Sequence, residues 1–337
     1  MRIGAHDLAQ HVLIVAEIGA NHEGDWGRAV ELVAAAAEAG ADAVKFQTYR
    51  AEKIVAASET DRRIHFRRLE LSDDQFLSLA VEARSRGVMF LSTPFDLESA
   101  DLLDPVMPAF KIASGDLTYV GLLRHIAAKG KPVILSTGMS SDSEIQAALA
   151  TLAEAAPGRD LPEWIALLHC VSAYPTPPEQ ANLKSIPFLA DTFGLITGYS
   201  DHTLENWACL AATALGARIL EKHFTLDKHR SDFRDHALSA EPAEMAALVR
   251  GVRTIEAALG DYGKPIAPAE RDNRVAMRRS LAARDDIQSG SRLTAESLTA
   301  LRPARGLSPT QLDAVMGRRT GRLIKAGEPI TEADLVG

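Results

Sequence analysis

Short apolar runs rich in β-formers recur along the chain, with helix-type patterns between them. Eight such runs stand out: Val12–Glu17, Ala43–Thr48, Val88–Ser92, Ala109–Ser114, Pro132–Ser136, Trp164–Cys170, Leu195–Tyr199 and Arg218–His223. The stretch after the first shows the helical signals. Asp25 is a candidate N-cap, apolar residues fall at Trp26, Val30, Val33 and Ala37, and Gly40 stops the helix. A similar stretch, Ser72-Asp-Asp-Gln-Phe through Arg86-Gly87, precedes the third run. Most runs are nearly continuous in apolar character, as strands covered on both faces of a parallel sheet are. Eight strand–helix units within about 250 residues predict a (β/α)8 TIM barrel, in the α/β class. An open doubly wound sheet is the alternative, but no Gly-x-Gly-x-x-Gly follows the first run.

The pattern predicts a barrel over residues 1–260, a linker over 261–278 and a small β-rich domain over 279–337. Residues 261–270 are polar, proline-containing and aperiodic. In the last part β-like stretches (Ser280–Ala283, Thr299–Leu301, Arg322–Ile324) alternate with glycine-containing turns. A unit of about 60 residues is marginal alone and is expected to lean on the barrel or on a partner chain. Composition narrows the function. With 46% hydrophobic and 24% charged residues the chain is ordinary globular. A net charge of −8 offers no case for nucleic acid, yet it leaves room for an anionic substrate in a local pocket of lysines. Cys170 and Cys209, the two cysteines, read as buried free thiols in a reducing compartment. There is no basic-then-apolar leader and no apolar run of about 18 residues, so the expected setting is cytoplasmic, away from the membrane.

Barrel enzymes carry their reacting groups at the C-terminal ends of the strands. Here those ends read Glu17, Lys45, Thr93, Lys111 with Ser114, Ser136, Tyr174, Ser200 with His202, and Glu221 with His223. Two histidines on one rim, beside Glu221 and Asp201, suit a divalent metal. Two lysines inside apolar runs are costly unless an anion pairs with them, and hydroxyl residues flank each. The set sorts into an anion pocket (Lys45, Thr93, Lys111, Ser114, Ser136, Ser200), a metal site (His202, His223) and two carboxylates (Glu17, Glu221). Together these suit carbon–carbon bond formation from a phosphorylated, carboxylated donor onto a metal-polarised aldehyde. A Schiff-base lysine is the alternative chemistry. A non-catalytic carbohydrate-binding barrel is the alternative outside enzymes.

Ala-Glu17-Ile-Gly-Ala-Asn21-His22-Glu-Gly24, Val-Lys45-Phe-Gln47-Thr and Ser92-Thr-Pro-Phe-Asp96 resemble the N-acetylneuraminate (sialic acid) synthase family. So do Lys111-Ile-Ala-Ser114-Gly-Asp, Ser136-Thr-Gly-Met, His169-Cys-Val-Ser-Ala-Tyr174-Pro-Thr-Pro, Gly198-Tyr-Ser-Asp-His202-Thr and Glu221-Lys-His223-Phe-Thr-Leu. Arg279-Ser-Leu-Ala-Ala-Arg through Lys325-Ala-Gly-Glu-Pro-Ile resembles the family's antifreeze-like SAF domain. The resemblance implies condensation of phosphoenolpyruvate with N-acetylmannosamine or a related acetamido sugar, giving a nonulosonic (2-keto-3-deoxy) acid and phosphate. By motif position Lys45, Thr93, Lys111, Ser114, Ser136 and Ser200 hold the donor, while His202 and His223 bind Mn²⁺ or Mg²⁺. Glu17 and Glu221 flank the reacting centre, and which one acts as base stays open. Asn21, Gln47, Tyr174 and Asp235 complete the substrate set. The resemblance also implies a domain-swapped homodimer, in which Arg302 of Leu301-Arg302-Pro303 reaches the sugar's N-acyl group from the SAF domain.

Two departures bear on specificity. Where the family commonly has Gly-Pro-Asp-His, this chain has Phe233-Arg234-Asp235-His236, and Ser172 stands where many members have Asn. The altered loop allows a 2,4-diacetamido-trideoxyhexose, as in legionaminic or pseudaminic acid synthesis, or a 6-phosphorylated sugar as acceptor. An arginine there suits a phosphate or an added polar substituent, or is simply a solvated loop charge. The related condensation on arabinose 5-phosphate or erythrose 4-phosphate is a more distant alternative, and the SAF tail argues against it.

Overall fold

The structure, a computed structural model, describes residues 1–336 and divides at Gly260 into two compact units. The first unit is built on eight parallel strands: β1 (Leu13–Gly19), β2 (Ala43–Thr48), β3 (Met89–Pro94), β4 (Phe110–Ile112), β5 (Val133–Ser136), β6 (Ile165–Cys170), β7 (Ile196–Asp201) and β8 (Ile219–His223). These are the eight runs read from the sequence. They follow one another in a single sheet, and β8 pairs back onto β1. β3 and β4 lie side by side without a shared ladder, so packing closes that last seam and the result is a near-barrel. The fourth strand stops at Ile112, and Ser114–Asp116 turns into a 3₁₀ segment. Helices follow the strands and cover the outside. The first, Trp26–Glu38, is capped by Asp25, whose side chain accepts the Arg28 N–H at 2.9 Å; Gly40, at φ +85°, takes the left-handed turn that ends it.

Alternation along each strand sorts the two faces. Ile14, Ala16, Val44, Phe46, Phe90, Phe110, Leu135, Leu167 and Leu220 face the helices and build the larger core. Leu13, Val15, Ala43, Leu91, Ala109, Ile134, Ala166, Leu168 and Ile219 face inward and fill the lower half of the barrel. One or two steps further along the same inward rows come Glu17, Lys45, Lys111, Ser136, Cys170, Glu221 and His223, so the barrel changes from apolar to polar along its own axis. A hairpin of Arg2–Ile3 with His6–Asp7, which the hydrophobic pattern did not reveal, adds Ile3 and Leu8 to the inner cluster. A bulge at Ile18 interrupts the β1–β2 ladder between the pairs Glu17↔Lys45 and Gly19↔Phe46, next to the polar end.

The second unit has its own small core of Leu281, Ala283, Ile287, Leu293, Leu298, Val315, Ile324, Ile330 and Leu335. Ser280–Ala283 pairs antiparallel with Leu298–Leu301, and Arg319–Thr320 with Leu335–Val336. The stretch Arg322–Ile324, expected as a strand, contributes only a bridge from Ile324 to Ile287. The segment read as a linker holds an exposed short helix, Arg271–Met277. Among the described residues no helix is long and apolar enough to cross a membrane.

Candidate active site

A cavity of about 1120 Å³ opens at the C-terminal ends of the strands, and its floor is charged. Glu17, Lys45, Lys111 and Glu221 come from β1, β2, β4 and β8, and each is at most 7% exposed. Lys45 Nζ lies 2.6 Å from Glu17 Oε2 and 3.7 Å from Glu221 Oε1, and donates to Thr93 Oγ1 at 3.2 Å. Lys111 Nζ lies 3.9 Å from Glu221 Oε2 and donates to the Ile112 carbonyl at 3.2 Å. Ser200 donates to Glu221 Oε1 at 3.1 Å, and Gln47 Nε2 to Glu17 Oε1 at 3.4 Å. Burial separates the two carboxylates. It raises Glu17 above the usual carboxylate range, because the pull of Lys45 does not offset the lost hydration. Glu221 is equally desolvated but faces both Lys111 and Lys45, and these hold it below that range. Lys111, weakly paired, is lowered by burial.

Hydroxyl and thiol groups from β4, β5 and β6 form the adjoining wall. Ser114 Oγ accepts the Gly138 N–H at 3.0 Å and sits 3.0 Å from Cys170 Sγ. A Cβ on Gly138 would come within 2.6 Å of Ser172 Oγ, 2.7 Å of Cys170 Sγ and 2.8 Å of Ser114 Oγ, so any larger residue here would displace these wall groups. The Ser136 hydroxyl is buried, lines the cavity and has no partner among the described residues. Buried polar atoms without partners are uncommon, and one facing a cavity marks a place for a ligand.

Both imidazoles face the same space. His202 Nδ1 is 2.7 Å from the Val171 carbonyl, which requires the hydrogen on Nδ1 and leaves the Nε2 lone pair free. His223 Nδ1 is buried without a partner among the described residues. The ring centroids are 5.4 Å apart, and Tyr174 packs on His202 at 4.1 Å. Burial lowers the proton affinity of both rings, which keeps them neutral, as metal ligands must be. Among the described residues no three His, Cys, Asp or Glu side chains converge as a metal cage. The two imidazoles are thus the residues that would hold a divalent ion.

The rim departs further from what the sequence singled out. Arg234 lies with its guanidinium carbon 4.5 Å over the Tyr174 ring, and Phe233 stacks on His65 at 6.1 Å. His65, Arg62, Phe66 and Arg68 belong to the helix Thr60–Leu69, which has no apolar periodicity to announce it, and Tyr49 and Phe95 line the mouth beside them. Asp235 lines the cavity and pairs with Arg234. Asn21 does not line it. Its amide donates to the Phe224 carbonyl at 2.8 Å and to Ser239 Oγ at 2.9 Å, and Ser239 donates to the Asp235 carbonyl, so Asn21 braces the loop from behind. Arg302 belongs to the second unit and is exposed just after Leu298–Leu301.

Comparison with known proteins shows what the whole chain is similar to. The NeuB family profile matches residues 32–264, and that of the SAF domain residues 278–336. The chain is 40% identical to the N,N'-diacetyllegionaminic acid synthase of Campylobacter jejuni, over 95% of this chain and 99% of that one. It is 34% identical to the N-acetylneuraminate-9-phosphate synthase of Mus musculus, over 95% and 91%. The crystal structure of the N-acetylneuraminic acid (sialic acid) synthetase from Leptospira borgpetersenii, in complex with citrate, superposes with a TM-score of 0.73 at 34% identity, covering 78% of this chain and 90% of that one. A charged floor, a hydroxyl wall and two neutral imidazoles thus sit on a fold shared with these synthases, and the chain belongs to the NeuB family: it is a synthase-type transferase with a C-terminal SAF domain.

Proposed function

We propose that this enzyme condenses phosphoenolpyruvate with a 2,4-diacetamido-trideoxyhexose to give a nonulosonic acid and inorganic phosphate. The chemistry is supported by the pairing of Lys45 and Lys111 with hydroxyl groups in a buried floor, and by the partnerless Ser136 hydroxyl beside them. The acceptor is supported by the mouth. Tyr49, Leu69, Phe66, Phe95 and Phe233 cluster there and suit acetamido methyls and a deoxygenated carbon, while Arg62, Arg68 and Arg234 beside them suit the polar substituents of the sugar. The 40% identity to the diacetyllegionaminic acid synthase points the same way.

In this reading Lys45, Lys111, Thr93, Ser114, Ser136 and Ser200 hold the donor's phosphate and carboxylate. His202 and His223 would hold Mn²⁺ or Mg²⁺, which polarises the acceptor aldehyde when bound. C3 of the donor bonds to the aldehyde carbon, whose oxygen takes up a proton, and positive charge develops at C2. Glu221, ionised beneath both lysines, stabilises that charge. Water adds at C2 and loses a proton, and the tetrahedral adduct expels phosphate to leave the 2-keto acid. Glu17, whose proton burial helps to retain, is placed to exchange a proton with the water or the sugar oxygen. The same reading places Arg302 of a partner copy over the acceptor in a domain-swapped homodimer. Two buried free cysteines support a reducing, cytoplasmic setting.

The test is phosphate release from phosphoenolpyruvate with Mn²⁺ across acceptors: the diacetamido sugar, N-acetylmannosamine and its 6-phosphate, each with a chelator control. Chelator-sensitive release that is fastest with the diacetamido sugar is the expected result. Preference for either N-acetylmannosamine form would overturn the acceptor assignment, and release with none of them the condensation itself.

A further inference from the structure

Between Ser200 and His202, and between Glu221 and His223, lie Asp201 and Lys222, and both turn away from the cavity. They are 0% and 1% exposed, form the directly facing pair of the β7–β8 ladder, and meet with Nζ 2.9 Å from Oδ2. Two of their further bonds converge on one residue. Asp201 Oδ1 accepts the Thr203 N–H at 2.8 Å, and Lys222 Nζ donates to the Thr203 carbonyl at 2.6 Å. Cys209, from the helix Trp207–Ala214, donates its thiol hydrogen to Asp201 Oδ2 at 3.3 Å. The residue after His202 is thus clamped at both its amide and its carbonyl, while the His202 carbonyl accepts the Thr176 N–H at 2.8 Å.

A buried ion pair is poor stabilisation compared with apolar residues of the same volume, because desolvating both charges offsets their attraction. What this pair does, and apolar residues do not, is satisfy a buried peptide group and set register. A one-residue slip of β8 against β7 would bring Lys222 into the cavity and turn Glu221 and His223 out. We propose that Asp201 and Lys222 are positioning residues that aim the two imidazoles, His202 through the Thr203 clamp and His223 through the ladder register. This rests on the reading of His202 and His223 as metal ligands.

The experiment compares the full chain with D201N, which keeps an acceptor for Thr203 but loses the charge, and D201L/K222M, which removes both charges at similar volume. Imidazole resonances of ¹⁵N-histidine-labelled protein are recorded without metal, the Mn²⁺ Kd is measured by the loss of free-ion electron paramagnetic resonance signal, and the KM for phosphoenolpyruvate is taken alongside. The expected result is that D201L/K222M unfolds as cooperatively as the parent, yet loses the hydrogen-bonded Nδ1–H signal of His202. Its Mn²⁺ affinity is expected to fall by about ten- to a hundredfold, as when outer partners of ligating histidines are removed. Its KM for phosphoenolpyruvate should change less than its Mn²⁺ affinity, because Lys45, Thr93, Lys111, Ser114 and Ser136 stand away from β7 and β8, and of the donor set only Ser200 adjoins the pair. Wild-type imidazole spectra and Mn²⁺ affinity in this variant would overturn the proposal. If the double variant does not fold, D201N decides between the same two outcomes. If the parent binds Mn²⁺ no better than His223→Ala does, the metal reading fails instead, and the imidazole spectra alone judge the positioning role.

Discussion

At the scale of single residues, the site depends on where buried charge is placed. Lys45 lies between the two carboxylates and is the closest cation to both. Lys45→Met is expected to raise the KM for phosphoenolpyruvate by about ten- to a hundredfold, the value of one or two charge-assisted hydrogen bonds, and steady-state kinetics check this. An unchanged KM would place the donor elsewhere. Arg234 makes a different prediction, because it is largely exposed and rests on Tyr174. Arg234→Ala should alter the acceptor KM while leaving the donor KM and the melting temperature nearly unchanged, since an exposed stacked arginine contributes only about 0.5–1 kcal/mol. Equal changes in both KM values would count against its place at the acceptor mouth. Much of this scale was legible beforehand, because lysines, glutamates and histidines inside apolar runs violate burial rules and so draw attention. Cys170, Ser172 and Gly138 are small and neutral. They violate no such rule: the family motifs contain them and mark Ser172 as a departure, but it is the turn geometry that shows how they shape the wall.

At the scale of elements, spacing between strands matters more than any one contact. A Cβ on Gly198 would fall 2.4 Å from the Ile219 carbonyl oxygen and 2.6 Å from Leu168 Cδ2, and a backbone oxygen cannot move aside cheaply. Gly198→Ala is therefore expected to destabilise the barrel by about 1–3 kcal/mol in urea unfolding, and to lower kcat by spreading the Ser200–Glu221 seam. Wild-type stability would show that β7 and β8 part without cost. The N-terminal hairpin makes the opposite prediction for function. Ile3→Ala should cost about 2–5 kcal/mol of stability, as a buried isoleucine truncation does, with kcat/KM unchanged in the folded enzyme. A loss of kcat/KM without a loss of stability would contradict the hairpin's role at the inner core. The eight barrel strands were readable because each is an apolar run of several residues between helical patterns. The hairpin was not, because strands of two residues carry no period. The helix Thr60–Leu69 was not, because it is polar on nearly every face and buries only Leu69.

At the scale of the whole molecule, the two units have separate cores and should respond separately to solution conditions. In the second unit burial pushes Asp334 up, but the Thr331 N–H and hydroxyl and the Arg322 guanidinium outweigh it and hold the carboxyl below its ordinary value. A carboxylate lowered on folding adds stability that is present above the unfolded pKa and is lost as pH falls through the folded one. Hydrogen-exchange protection factors in residues 278–336, taken relative to the intrinsic rate at each pH, should therefore fall on acidification below the usual carboxylate range, and Asp334→Asn should flatten that dependence. A variant with the parent's pH profile would refute the assignment. The match of fold and family over nearly the entire chain makes the chemistry the central claim, and that claim specifies which bond breaks. The most direct measurement uses phosphoenolpyruvate labelled with ¹⁸O in the bridge between C2 and phosphorus, with the acceptor sugar and Mn²⁺, and reads both products by mass spectrometry. Cleavage of the carbon–oxygen bond predicts that the label leaves in inorganic phosphate, while the sugar gains a three-carbon keto-acid unit. Label retained in the sugar product, or phosphate released with no new carbon–carbon bond, would contradict the account.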